Sequence, residues 1–167
     1  MKIGKVSATE KSPTTVNEFS FWLEEDVEVK PFDIVKTKVS IGNKESTTFG
    51  IIKDIIHLTD SPGHLSSFVS SDFGNVESQY STQRLRLTLA IAEVIHNDCD
   101  VYMPCQDGSV VEFVTEEEVK KALGLDKISN NLPAGLFQMS NDISVPIAYN
   151  SDFLIGPEGA HMNISGI

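Results

Sequence analysis

Phe19-Ser20-Phe21-Trp22-Leu23 places Phe19, Phe21 and Leu23 on one face and Ser20 and Trp22 on the other, the two-residue period of a half-buried β-strand. Its neighbours carry the same signature. Ile3 to Ala8 is a short strand, separated from it by the polar run Glu10 to Asn17 with its Ser12-Pro13 turn. Asp33 to Ile41 sets Ile34, Lys36 and Lys38 against Val35, Thr37, Val39 and Ile41, and Thr48 to Leu58 is an isoleucine-rich run introduced by Phe49-Gly50. Short strands this close together point to a barrel or sandwich. The fold expected is mainly β, a small closed or partly open β-barrel.

Leu85 to His96 is long enough for a helix and rich in Leu, Arg and Ala, but its alternating Leu, Thr and Ile content reads as a fifth strand. Leu85, Leu87, Leu89 and Ile91 share one phase, Ala92 and Val94 the other, and the change of phase predicts a bulge. The core is expected where three faces meet: Phe19, Phe21 and Leu23; Ile51 to Ile56; and Leu85 to Ile91. Trp22 points the opposite way from its neighbours and is a candidate interaction residue. Between the fourth and fifth strands, 59–84 is rich in Ser, Asp, Gly and Asn and reads as a long surface loop. Phe68, Val69, Phe73, Val76 and Tyr80 are its anchors, and Phe68 and Phe73 are the further candidates for partner contact.

One short helix is expected at about 115–124. Thr115-Glu116-Glu117-Glu118 has the form of a capping box, in which the Thr hydroxyl accepts from the Glu118 amide and the Glu118 carboxylate accepts from the Thr115 amide. The acidic first turn and Lys120 and Lys121 near the other end suit the helix dipole, and Gly124 suits its close. After a turn-rich stretch from Ile128 to Asp142, Ile143 to Tyr149 reads as an edge strand because Pro146 cannot donate to a ladder. The tail from Phe153 to Gly156 reads as a strand running into glycine.

The 167 residues suffice for one ordinary domain, and 40% hydrophobic with 22% charged residues is a globular balance. The formal net charge of −11 has the wrong sign for releasing counterions from nucleic-acid phosphates. There is no apolar run of membrane-spanning length and no signal-peptide pattern at the start, which makes a cytoplasmic location and no membrane partner the expectation. Cys99 and Cys105, with His96 nearby, lack the paired spacing of a zinc site, and His57, His64, His96 and His161 form no metal motif.

Several segments in order resemble the N-terminal barrel (HAS-barrel) region of HerA-type hexameric ATPases, the DNA translocases of prokaryotes, over essentially the whole chain. These are Ile3-Gly4-Lys5-Val6, Phe49-Gly50-Ile51-Ile52, Pro104 with Asp107-Gly108-Ser109-Val110-Val111, the helix from Thr115 to Leu125, Leu132-Pro133-Ala134-Gly135-Leu136, Val145-Pro146-Ile147 and Phe153-Leu154-Ile155-Gly156. His161-Met162-Asn163-Ile164-Ser165-Gly166 is similar to the strand that in that family leads into a glycine-rich phosphate loop. The resemblance implies a barrel at 1–114, a helix and linker strands at 115–150, and the first strand of a RecA-like core at 151–167, truncated before the loop. Gly166 would be the first glycine of the phosphate loop, and ATP and Mg would belong to the parent. It further implies a ring, hexameric in the parent, a non-catalytic role in assembly and in docking a nuclease or effector protein, and DNA contact only through the motor core. At two points the chain departs from the pattern: Phe32-Asp33 stands where the barrels of that family carry Gly-Asp before the third strand, and the insertion between Ile56 and Leu85 is long and poorly matched. The alternative reading is a free-standing small β-barrel enzyme or ligand-binding domain with Asp60-Ser61-Pro62-Gly63-His64 lining a pocket. Residues so close in one turn are poorly placed to act as nucleophile and base.

Overall fold

The computed structural model describes residues 1–77, 85–155, 163, 165 and 166. Six antiparallel strands close a barrel: β1 (Lys2–Val6), β2 (Glu18–Leu23), β3 (Ile34–Ile41), β4 (Lys44–Thr59), β5 (Arg86–Asn97) and β6 (Val110–Phe113), in spatial order β1-β2-β5-β4-β3-β6. The short β6 completes the closure, pairing with β1 through Gly4↔Val111 and with β3 through Val35↔Phe113. Helix α1 (His64–Ser70) follows β4, and α2 (Glu116–Ala122) follows β6. A separate two-stranded sheet, β7 (Asn131–Gln138) with β8 (Ser144–Asn150), precedes α3 (Ser151–Ile155).

The barrel interior is built by size complementarity. Phe19, Phe21 and Phe49 are the largest of its fully buried side chains. Beside them on the neighbouring strands the inward positions are correspondingly small: Ala92 and Ala90 of β5 lie across the ladder from Phe19 and Phe21, and a Cβ added at Gly50 would stand 2.8 Å from the Phe19 ring and 3.1 Å from Ala92. Interiors packed at crystal-like density leave no room to exchange such partners. The expectation that Leu85 to Ile91 supply the core therefore fails. Leu89 and Ile91 lie half-buried on the outer face, and Leu85 and Leu87 are exposed. At the phase change the extra residue lies on the neighbouring strand β4, and a second bulge lies in β5 itself. Register slips at Lys53 of β4, opposite the phase change at Ile91 and Ala92, and again at Ile95 of β5.

The helix and hairpin share the barrel's hydrophobic cluster through Val119, Ala122, Met139 and Val145. Asp33 ties them together. Its carboxylate is fully buried, with Oδ2 accepting from the Lys30 amide at 2.9 Å and Oδ1 from the Ser140 amide at 2.9 Å. The residue before it, Phe32, has φ 77° and a 69% exposed side chain, so this bend puts a bulky residue into the left-handed region that glycine favours. Phe32→Gly is expected to stabilise the fold by up to about 1 kcal/mol, the relieved strain being offset in part by the flexibility glycine adds to the unfolded chain. A urea midpoint unchanged or lower than wild type would contradict this.

The capping box forms as expected. Thr115 Oγ1 accepts from the Glu118 amide at 3.3 Å, and Glu118 Oε2 accepts from the Thr115 amide at 2.8 Å. Lys36 Nζ adds contacts of 2.6 and 2.8 Å to the two carboxylate oxygens, linking α2 to β3. Burial works to raise the Glu118 pKa, but the hydrogen bonds from Lys36 and the Thr115 amide outweigh it and hold the group below the usual carboxylate range. A depressed folded-state pKa contributes stability that is complete above the unfolded value of about 4.3 and is lost as pH falls through the folded value. Urea unfolding from pH 7 down to pH 3 should show this loss in wild type and a shallower decline in Glu118→Gln; parallel acid limbs would contradict it.

Two stretches differ from expectation. Ile128 to Asp142, read as turn-rich, contains β7, whose pairing runs from Asn131↔Asn150 to Gln138↔Ser144 with a slip between Pro133 and Gly135. Its strand conformation comes from its partner β8, since Pro and Gly give it little strand preference of its own. Phe153 to Ile155, read as part of a strand, lies in the short helix α3. The rest of the expected strand at Gly156 and of the His161 to Gly166 motif falls mostly outside the described residues. No helix among the described residues is long and apolar enough to cross a membrane.

Candidate interaction surface

Strands β4 and β5 outrun their neighbours. β3 accompanies β4 only as far as Ile34↔Ile51, and β2 accompanies β5 only as far as Trp22↔Leu89. Beyond those points β4 and β5 continue as a two-stranded ribbon to Thr59↔Arg86. Register then determines its faces. Trp22, Leu89 and Ile56 stand in one cross-strand row, and Leu87↔Leu58 is the next pair on the same outer face. Trp22 is half-buried there, while Leu58 and Leu87 are exposed. The apolar face that the sequence pattern assigned to the core is thus turned to solvent. Contiguous exposed apolar surface of this kind marks contact sites.

Phe68 and Phe73 lie beyond the ribbon's end. Helix α1 and the 3-10 turn Asp72–Gly74 occupy part of the expected loop, and the two rings meet edge to face with centroids 6.1 Å apart. Gly74, at φ 80°, is required beneath Phe68, whose ring would stand 2.6 Å from an added Cβ. Helix α1 buries none of its residues, and Phe73 remains 70% exposed. Leu65, Phe68 and Val69, spaced i, i+3 and i+4, carried a helical signal within this serine-rich stretch. Tyr80, the fifth anchor, lies outside the described residues. The structure does not place Phe68 or Phe73 in the Trp22 row.

The remaining sequence candidates are not brought together. Ser61 Oγ donates to the Gly63 carbonyl at 3.0 Å, so the turn uses its hydroxyl locally, and Ser61, Gly63 and His64 are not buried. Gly166 is exposed, with nothing within 4 Å of an added Cβ. Cys99 is exposed and Cys105 buried. His96 Nε2 stands 3.4 Å from Asp98 Oδ1, and Lys121 Nζ stands 2.8 Å from the same oxygen, which raises the lysine's pKa. Among the described residues, no group of three or more His, Cys, Asp or Glu is arranged to hold a metal.

Burial pushes the Cys105 thiol up to about 11 against the opposing hydrogen bond with Thr48. Such a thiol is only about one part in a thousand thiolate at pH 8, and the thiolate is the reactive form. A thiol-specific reagent at pH 8 should therefore modify Cys99 in the native chain and Cys105 only after unfolding. Two equally fast thiols would contradict the burial.

No protein-family model matches the chain, and no curated protein matches it.

Proposed function

We propose that this chain is a non-catalytic assembly and partner-docking module, the N-terminal barrel of a HerA-like, ATP-driven DNA translocase. The observation that carries the docking role is the β4–β5 ribbon, which projects its outer apolar row past the strands that would cover it. A small barrel already has a filled interior and needs no such row for its own core. The parentage rests on the ordered sequence resemblance, with the barrel, the Glu116–Ala122 helix and the following hairpin arranged in the order it implies. In this reading the chain binds its own kind in a ring and an associated nuclease or effector, whereas ATP, Mg and DNA are handled by the parent's motor core. The net charge of −11 favours protein over nucleic-acid contact.

Two measurements test the two parts. Reading the coding sequence downstream should reveal a glycine-rich loop ending in Lys followed by Ser or Thr; a stop codon directly after Ile167 would remove the translocase assignment. Light scattering should give an oligomer mass that falls in Trp22→Ala while the circular-dichroism spectrum is retained. A wild-type monomer would remove the assembly role.

A further inference from the structure

The β7–β8 hairpin has unequal edges. Helix α2 packs against β8, whereas β7 has β8 on one side and, among the described residues, no strand on the other. The Met139 amide donates to Ile143 O at 2.9 Å, which sets the phase of the ladder. From that pair the register runs through Gln138↔Ser144, Phe137↔Val145 and Leu136↔Pro146. In an antiparallel pair, alternate residues direct their N–H and C=O toward the partner strand. Phe137 accordingly faces β8, and Leu136 and Gln138 turn their N–H and C=O away from it. Pro146 fits this phase, since it stands where β8 gives no N–H to β7. Leu136 and Gln138 are exposed, and their outward amides and carbonyls have no hydrogen-bond partner among the described residues.

Edge strands are ordinarily blunted by charge, proline or a bulge. In β7, Pro133 and the slip between Pro133 and Gly135 do this for the first half, leaving Leu136 to Gln138 open. The stretch 128–151 holds a single charged residue, Asp142, in a chain of which 22% is charged and whose net charge is −11. Two such copies repel one another, and they meet at least electrostatic cost on this uncharged hairpin. A charged partner would find little there to select it. We infer that two copies of the chain join edge to edge through β7, antiparallel, with Leu136 across from Gln138 of the second copy and Phe137 beside the two-fold axis. About four backbone hydrogen bonds then close between the copies. A two-fold operation generates this pairing, because it sets one edge against itself in the opposite direction. The contact is additional to the ring contact proposed at Trp22 and does not rest on it, since a ring joins unlike patches.

Light scattering on the full chain over a range of concentrations tests it, with far-ultraviolet circular dichroism as the check on folding. Trp22→Ala should fall to a dimer. Adding Leu136→Pro should raise the dimer's dissociation constant at least about tenfold, because proline deletes one outward N–H in each copy and leaves the bonds to β8 in place. Leu136→Lys in the same background should weaken the dimer as well, since it sets two like charges at the contact, and it carries the test if the proline disturbs the hairpin. Hydrogen exchange gives an independent reading: Leu136 and Gln138 N–H should lose protection on dilution, while Phe137 N–H, directed at β8, keeps its own. A monomeric Trp22→Ala chain from a larger wild type would overturn the inference and leave the ring standing. Exchange at Leu136 and Gln138 that ignores concentration would overturn it too. A wild-type dimer that Trp22→Ala leaves unchanged and Leu136→Pro dissolves would support the β7 contact and remove the ring.

Discussion

Phe21→Ala is expected to destabilise the barrel by about 3–5 kcal/mol, whereas Trp22→Ala, one position along the same strand, should leave it folded. Phe21 is fully buried and packs beside Phe19 with ring centroids 6.1 Å apart. Its neighbours across the ladder are Val6 on β1 and Ala90 on β5, neither large enough to fill the space left by a ring. Truncation therefore removes the transfer energy of the aromatic group and leaves a cavity that the closed ladder cannot collapse to fill. Trp22 projects from the other face, half-buried beside Leu89 and Lys5, where solvent or a partner can occupy its place. Urea unfolding followed by far-ultraviolet circular dichroism measures both. Equal losses for the two variants would contradict the assigned register, because a shift of one residue exchanges the two faces of a strand.

Asp33→Ala is expected to cost about 2–3 kcal/mol, since it leaves two part-buried amide donors without acceptors, each at the low end of roughly 1–3 kcal/mol. Those donors are Lys30 N–H, in the bend that leads into β3, and Ser140 N–H, in the connection between β7 and β8. One carboxylate thus closes a local turn and fastens a hairpin more than a hundred positions along the chain, with a sequence separation of 107 for the Ser140 contact. Asp33→Asn should be intermediate, as it keeps one acceptor oxygen but presents an NH2 group to the other amide. Hydrogen exchange gives the specific signature: Ser140 N–H should lose protection in Asp33→Ala. Full stability in Asp33→Ala, or unchanged protection at Ser140, would contradict the anchoring role.

The legible parts of this protein are those in which a local signal decides a local structure. The alternation at Phe19 to Leu23 sets β2 and its inward face, and the Thr115 and Glu118 pairing sets the start of α2. Helix α1 carried its own signal at Leu65, Phe68 and Val69, which the surrounding serines obscured. Strand β6 was harder to recognise, because Val110–Phe113 is too short for alternation to distinguish it, and it acquires its role by fitting between β1 and β3.

By itself, the sequence determined the β-rich class, the strand at Phe19 to Leu23, the capped helix and the outward direction of Trp22, because each depends on residue periodicity or on groups a few positions apart. Tertiary structure alone decided which apolar face of β5 is buried. Alternation shows that Leu85 to Ile91 and Ala90 to Val94 point to opposite sides, but it carries no information about the space available on either. The rings of Phe19, Phe21 and Phe49 already occupy the interior, so only Ala90, Ala92 and the missing side chain of Gly50 fit against them. The larger leucines are consequently excluded to the outer face, where they line the surface proposed for docking.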